Sequence, residues 1–582
     1  MDNPAQTNTQ ATQVPQTTST QPEQTQPTEK QIVDQLIKER DSYRSSNQQN
    51  RSDINDIYSA FMGRMDEVKK VPYFEPITIP KLRTEVAYIV PFIFSGNPEI
   101  EVEGVGEEDK FIAEIIEKIL NFRLETIPQA YERIEAWVKQ SAAFGTSIIK
   151  VNWRFETKDN GDGTKSPIKD EPELEVPHIL DCFYNPILPE VPNQSSIIFR
   201  SVLSVEEVKE NISYDYVDSM GQLNRDKVES GTLKSNPYDS TQGMSGDRID
   251  IQKASNGTVE VYERITCDRI QTICFGKENL LLRDHSWDYG FLNAVKLVHE
   301  PNAIPNRFDG FGVGQNTLGI GKAIHSIVNQ TKQNIALTNN PMFLAKKGAN
   351  IDKKQLPSRP GGLIEADVDQ GQPLQNSLQA LQFPDIKQGA IEFMNKLDDE
   401  HKRASGANDL VQGSASNKTL GQDQMASTYS SNRFELIQRR FKQALADVAK
   451  ILIDMELKNL QSPDASILRI FPLEMRQGVY ELLISDDAKN AEYNIKIKGD
   501  TTLAKNKDVQ IKQIIDAYTV FQAIIPPAQA IEWARKILEL RGVGELDKLL
   551  PTQEMMQQLA QPQGMTQPIP QGMNVNQPSP MQ

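Results

Sequence analysis

The chain has 582 residues, a net charge of −16 and a pI near 5.1. That length is too great for one simple core and implies two or more domains, and the acid excess argues against a protein whose affinity rests on gripping phosphates. A mean hydropathy of −0.51, with no apolar run long enough to span a bilayer, predicts a soluble protein. The first residues show no basic-then-apolar signal. The three cysteines, Cys182, Cys267 and Cys274, lack CxxC spacing and predict neither a disulfide framework nor a zinc site, which fits a reducing cytoplasm.

Residues 1–30 are Gln, Thr and Pro with almost no large apolar side chains, so they cannot offset their own ordering entropy and are expected to be disordered. From Gln31 the pattern turns helical, with Ile32, Leu36, Ile54, Ile57, Tyr58 and Phe61 at helical spacing. Pro72, Pro76 and Pro80 mark an extended crossing. The segment KLRTEVAYIVPFIFSGNPEIEVEG then reads as a helix that Pro91 kinks or ends. Two amphipathic helices follow, over Glu107–Asn121 (Phe111, Ile115, Ile116, Ile119, Leu120) and Ala130–Phe144 (Tyr131, Ile134, Trp137, Val138). Gly145 stops the second, and TSIIKVNWRFET alternates as a strand.

DNGDGTK, from Asp159 to Lys165, has some of a calcium loop's residues but not its ligand spacing, and no bidentate Glu follows; a hairpin turn is the expectation. ELEVPHILDCFYNPI is strand-like. IIFRSVLS predicts a strand running into a helix capped at Ser204, with Glu207 at the capping-box position. Residues from about Ser213 to Ala254 read as a mobile surface loop, and VEVYERITCDRIQTICFGKENLLLRD as two strands of a hairpin-like pair.

The stretch from Phe308 to Leu460 organises the rest. A glycine-punctuated loop (Gly310, Gly312, Gly314) leads into a long helix with Ile320, Ala323, Ile324, Ile327, Val328, Thr331, Ile335 and Ala336 near one face, stopped by Pro341. A compact Pro/Gly-containing insert follows, then a returning helix, a polar loop (SGANDLVQGSASNKT) and a third helix striped by Phe434, Ile437, Phe441, Leu445, Val448, Ile451, Leu452 and Met455. SILRIFPL and YNIKIKGDT read as strands. Asn506–Arg541 reads as helical around Pro526-Pro527, and the chain beyond Pro551 as disordered.

No catalytic constellation stands out, and neither a cofactor nor a metal is expected. The phosphate-loop pattern fails at two positions: Gly321-Lys322 is followed by Ala323, and the required upstream glycine is Asn316. The dinucleotide pattern fails because Thr317 stands where its third glycine belongs. The five histidines (His178, His285, His299, His325, His401) are scattered singly, without HxxxH or HExxH spacing. Basic clusters are the more informative feature: Lys346, Lys347, Lys353, Lys354 and Arg359 in the insert, Lys418 in the polar loop, and Arg433, Arg439, Arg440 and Lys442 on the third helix. They read either as a solvated face balancing nearby acids or as weak, reversible contacts to DNA phosphate or an acidic partner.

The order helix, small β-rich insert, helix back, loop, long helix resembles the portal protein of tailed bacteriophages, over roughly Gln31 to Leu550. Upstream, Phe144, Gly145, Pro177, Asp181, Asn185, Pro186, Arg200 and Ser204 match the helix–strand–"Pro…Asp…Asn-Pro"–strand–helix order of that family's wing. The resemblance implies an α+β, mainly helical ring subunit. It divides the chain into a disordered tail (1–30), a wing (31–307), a first stem helix (308–340), a clip (341–385), a second stem helix (386–404), a tunnel loop (405–420), a tunnel helix (421–460), further wing strands (461–502), a crown (503–550) and a second disordered tail (551–582). It makes Gln412, Gly413, Asn417 and Lys418 the channel-facing residues.

The resemblance also implies a ring, of twelve copies by family, at one capsid vertex of the virion, assembled in the host cytoplasm. Such a ring would carry roughly 190 negative charges, a surface that passing DNA does not stick to. Its expected partners are a terminase, which supplies the ATPase, a tail adaptor, the major capsid and scaffolding proteins, and double-stranded DNA passing without sequence preference; no membrane is expected. Two alternatives stand beside it: a nucleotide-driven motor, which lacks the phosphate loop it needs, and a virion scaffold or minor structural protein that forms no channel. The glycines of the 310–314 loop are expected to permit crowding by neighbouring subunits.

Overall fold

A computed structural model describes residues 28–63, 76–94, 98–159, 165–230, 257–304, 306–339, 343–345, 378–381, 384, 388–407, 420–463, 465–485, 488 and 491–498. The chain divides into two compact units, residues 1–499 and 500–582; in the second only Ile514, Ile515, Trp533, Ala534 and Leu538 are described, all helical. The expected tails and most of the expected crown therefore lie outside the described residues.

The chain opens with helix α1 (Glu29–Ser46), started by a capping box in which Thr28 N donates to Gln31 Oε1 at 2.9 Å. Helices α2 (Gln48–Phe61) and α3 (Lys81–Ile93) follow, and Pro91 sits in the last turn of α3, which ends two residues later. EIEVEG is a strand, β1 (Glu99–Gly104), not a continuation of that helix. Its alternating apolar positions Ile100 and Val102 are buried while the glutamates face out. The outward amides of β1 at Ile100 and Val102 are taken by Asn121 and Glu117 of α4 (Lys110–Thr126), at 2.9 Å each, so side chains substitute for a missing strand. Phe111, expected on the apolar face of α4, is 55% exposed; Ile115, Ile116, Ile119 and Leu120 are buried as expected.

Helix α5 (Ala130–Phe144) is the centre of the main core: Ile134, Trp137 and Val138 are fully buried. Gly145 ends it at φ 88°, a conformation that favours glycine. Strand β2 (Thr146–Asp159) pairs antiparallel with β3 (Lys165–Glu175), out to Asp159 opposite Lys165, which makes the DNGDGTK connection a hairpin. A 3₁₀ turn at Ile179–Asp181 and short β4 (Cys182–Phe183) precede β5 (Ile197–Ser204) and α6 (Val205–Glu210). The Ser204/Glu207 capping box forms, with Ser204 N to Glu207 Oε2 at 2.7 Å and Glu207 N to Ser204 Oγ at 3.1 Å.

The segment expected to be two strands is three: β6 (Thr258–Ile265), β7 (Arg269–Phe275) and β8 (Asn279–Ser286), because both Thr266–Asp268 and Gly276–Glu278 turn the chain. They form an antiparallel sheet in the order β4-β5-β6-β7-β8. One face is covered by α1 through Ile32, Val33 and Leu36 on Phe183, Ile198, Tyr262, Ile273 and Leu281. The other holds Val208, Tyr214, Val228, Val259, Val261, Cys274 and Leu282. Tyr214 and Val228 belong to the stretch expected to be a mobile loop. They are buried, and Asn224 Nδ2 donates to Leu281 O at 2.8 Å, so this stretch is fixed at least to Val228.

Strand β9 (Ala294–Val298) joins β2, giving β3-β2-β9. Then come α7 (Val313–Asn339), the two-stranded pair β10 (Phe343–Ala345) and β11 (Leu378–Ala380), α8 (Gln388–Ser405) and the 40-residue α9 (Leu420–Asn459). The α9 stripe buries Phe434, Phe441, Leu445, Val448, Leu452 and Met455 against α3, α4 and strand β9, with Phe92 stacked on Phe434 at 5.4 Å and Trp137 of α5 against Phe441 at 6.3 Å. Each such side chain contributes about 1.5–3 kcal/mol by leaving water. SILRIFPL is not a strand: Ser466–Ile470 is a 3₁₀ turn, followed by α10 (Leu473–Ile484). Its apolar residues Ile467, Leu468, Ile470 and Phe471 are spaced one, three and four apart, which suits a helical turn rather than alternation. Strand β12 (Tyr493–Lys498) closes the unit on β1.

Candidate functional site

At the junction where α7 leaves the core, the backbone is tightly constrained. Gly145 and Gly310–Gly314 cross at close range. A Cβ on Gly310 would strike Val298 and the Glu300 carbonyl, one on Gly312 the Gly145 amide and the Ala142 carbonyl, and one on Gly314 the Ile57 side chain and the Ala143 carbonyl. Crowding at these glycines comes at least from the same chain. Hydrogen bonds hold the crossing: Gly310 N to Thr146 Oγ1 at 2.8 Å, Gln315 Nε2 to Phe144 O at 2.9 Å, and Gln315 Oε1 accepting from Gly312 N at 2.8 Å.

Beside the crossing, Phe308 stacks on Tyr184 with ring centroids 4.1 Å apart, and Phe308 N donates to Pro186 O at 3.0 Å. Tyr184 OH donates to Asp309. Burial pushes the Asp309 carboxyl up to about 6, against the opposing pull of the Tyr184 hydrogen bond and the Lys296 and Arg307 charges. Neither Tyr184 nor Asp309 was singled out from the sequence; an Asp between Phe308 and Gly310 in an apolar surrounding was the available signal. Of the residues matched by resemblance, Asp181 and Arg200 meet at 3.8 Å and Arg200 reaches Glu260 at 3.3 Å.

Helices α7 and α8 pack on each other; α7 also meets α2, α3 and α5, and α8 reaches α3 through side-chain pairs. The buried face of α7 is Val313, Gly314, Thr317, Ile324, His325 and Asn329, and the expected apolar face is only partly covered: Ile335 is 49% exposed. Asn329 clamps this chain's own backbone, accepting from Ile77 N at 2.8 Å and donating to Ile77 O at 3.0 Å. His401 Nδ1 meets Glu85 Oε1 at 2.6 Å, both buried. Lys81 pairs with Asp398, and Lys322 with Asp56 at 3.2 Å. Farther along, Leu381, Ile391 and Phe393 are exposed, Phe393 by 55%. Both histidines of this helix pair are thus helix-face residues with partners, His325 through Asn329 at 3.1 Å.

The sequence-nominated site residues fare unevenly. Gln412, Gly413, Asn417 and Lys418, and Lys346, Lys347, Lys353 and Lys354, lie outside the described residues. Arg433 lies in α9 with its side chain not described. Arg439 is exposed on α9, whereas Arg440 is half-buried and donates to His299 O at 2.7 Å, so it serves the packing of α9 on the segment before α7. Burial also draws the Arg440 guanidinium below its usual range. The three cysteines are free thiols; burial raises those of Cys182 and Cys274, the latter to about 12. No group of three potential metal ligands occurs among the described residues, and no described helix is long and apolar enough to cross a membrane.

Comparison with known families places the chain among phage portal proteins. Residues 266–582, more than half the chain, match the family described as phage SU10 portal protein. The chain therefore belongs to the phage SU10 portal protein family, a structural rather than enzymatic kind of protein and a component of the virion capsid. The match runs from Thr266, so it includes β7, the Gly310–Gly314 side of the glycine crossing and the whole of α7–α9. No curated protein matches the chain.

Proposed function

We propose that this chain is the ring subunit at one capsid vertex, forming the channel for DNA packaging and ejection and the docking site for terminase and tail adaptor. Family membership supports a portal role, and the observation that carries the ring is the α7/α8 pair. Ile335, Leu381, Ile391 and Phe393 are exposed on or beside two helices whose other end is seated in the core. Identical neighbours in a cyclic, head-to-tail arrangement would bury that apolar surface. In this reading α7 and α8 are the stem, residues 341–385 the clip, 405–420 the tunnel loop, α9 the tunnel helix and 503–550 the crown. Gln412, Gly413, Asn417 and Lys418 face the channel; Lys346, Lys347, Lys353, Lys354, Arg433 and Arg439 touch DNA phosphate or partners weakly.

The energy of packaging comes from the terminase, and Lys322, mid-helix and paired to Asp56, binds no nucleotide. Negative-stain images of the purified protein test the ring: closed rings with a central opening support it, and a scaffold-like particle without closure refutes it. Deleting Gly413–Asn417 then tests the loop, with rings intact and DNA packaging or retention impaired as the expected result.

A further inference from the structure

The two helices of the α7/α8 pair carry charge very differently. The 27 residues of α7 include two charged side chains, Lys322 and Lys332, in a chain that is 24% charged. The 18 residues of α8 include seven, four acidic and three basic. The difference is sharpest on the faces turned away from the body. On α7, Asn316, Gly319, Ser326, Gln330 and Gln333 recur at three-, four- and seven-residue steps, are all exposed, and form one stripe opposite the buried Thr317, Ile324 and His325. None of the five is charged, and both lysines are half-buried to the side of the stripe. On α8 the outward stripe is Glu392, Lys396, Asp399 and Arg403, exposed and charged at every position. Ile391 and Phe393, 49% and 55% exposed, lie on the two flanks of that stripe.

A helix face that stays in water ordinarily carries charge, as the α8 stripe does. The α7 stripe does not, so its chemistry is that of a covered face. DNA does not fit as the cover, because holding phosphate needs cations on the stripe itself. A second α7 does not fit either, since α7 brings only positive charge to a meeting with its own kind. An α8 fits on both counts: its carboxylates outnumber its cations, and it carries the exposed apolar side chains. The heights agree as well. Within the antiparallel pair Gly321 faces His401, and Asn334 Nδ2 donates to Pro384 O at 3.1 Å, so Ile391 and Phe393 stand level with the turn of α7 that holds Ser326 and Gln330. Rotation about a ring axis running along the pair preserves that level.

We infer that in the assembled ring the uncharged stripe of α7 is covered, around Ser326 and Gln330, by the α8 of the next copy, while the charged stripe of α8 stays in water. The inference rests on the ring reading above and adds to it which helix is enclosed and what encloses it. Gly319 and Ser326 leave room beside the helix for the apolar side chains of the neighbouring α8, which leave water on docking.

Ring formation followed by mass photometry over a dilution series, together with cross-linking, tests it on the full chain. Ser326→Arg puts a charge on the α7 stripe and is expected to raise the concentration needed for rings about tenfold or more, the effect of enclosing an unpaired charge. Asp399→Arg puts the same side chain on the α8 stripe and is expected to change that concentration less than about twofold. Both positions are exposed in the single subunit, so neither variant should shift its thermal unfolding; Gln330→Arg repeats the first arm if Ser326→Arg does not fold. In a chain carrying both Ser326→Cys and Asn395→Cys, a short bis-maleimide is expected to give a ladder of covalent multimers beyond the dimer that neither single variant gives. Rings formed by Ser326→Arg as readily as by the wild type, loss of rings in Asp399→Arg, or closed rings of the double-cysteine chain without a ladder would each overturn the inference and leave the ring standing. A wild-type chain that forms no rings overturns the ring reading, and this inference with it.

Discussion

Helices α7 and α9 both carry an apolar stripe at helical spacing, and they use it in opposite ways. In α9 the stripe from Phe434 to Met455 is buried within its own chain, and even its buried charge, Glu456, is matched by Arg123 of α4. In α7 the residues buried at the root include Thr317, His325 and Asn329, while Ile335 farther out is half-exposed. The period of a stripe specifies a helix and a face but not the molecule that covers the face. One helix completes a core along that stripe; the other is seated in it only at its root, through Val313 and Leu318 as well as polar contacts, and keeps apolar surface for something else.

The sharpest way to test that contrast is to break an ion pair in each region. Removing Arg123 alone (Arg123→Met) leaves Glu456 buried without its partner and should cost about 3–5 kcal/mol in chemical denaturation, with Arg123→Met/Glu456→Leu recovering most of it. Burial already pushes the Glu456 carboxyl up, the sign of a charge held at a cost. Lys322→Ala, which breaks the exposed pair with Asp56, should cost about 1 kcal/mol or less. Equal costs at the two pairs would erase the distinction.

Next in size is the crossing that separates the regions. Gly145→Ala forces a side chain into a φ of 88° and against the Gly310 backbone, and should lower stability by about 2–4 kcal/mol, read as a drop in Tm. Asp309 provides the corresponding pH test. Its carboxyl titrates at about 6 in the folded chain against an ordinary 3.8, so between those values the folded state holds a proton that the unfolded state has lost. Stability from this group therefore falls as pH rises from about 4 to 6, by about 2–3 kcal/mol in all. Asp309→Asn should flatten the dependence in that window; an unchanged slope would mean that the proton is held elsewhere.

Much of this was legible beforehand, for identifiable reasons. Ala130–Phe144 and the Ser204 cap were readable because local signals (Gly145 ending the first helix, Ser204 and Glu207 starting α6) agree with the burial pattern. EIEVEG was not legible because a short apolar run is decided by its partner: β1 is a strand because β12 lies beside it nearly 400 residues away; SILRIFPL carried helical-turn spacing in too short a run to stand out. The site was less legible than the fold. Long-range pairs such as His401–Glu85, Asn329–Ile77 and Tyr184–Asp309 leave no spacing in sequence, and the glycines of the 310–314 loop announced a close approach without saying what approaches.

The smallest expected effect on folding carries the largest functional one. Ile391→Ser/Phe393→Ser removes apolar surface that the isolated subunit leaves in water, so unfolding of the subunit should shift by less than about 1 kcal/mol. If a neighbouring copy covers those residues, assembly should fail. Mass photometry of the wild-type chain and this variant, side by side at micromolar concentration, tests the claim that the α7/α8 pair is completed by copies of itself. The account predicts closed rings for the wild type and predominantly monomers for the variant; a wild type that remains monomeric, or a variant that assembles as well as the wild type, would contradict it.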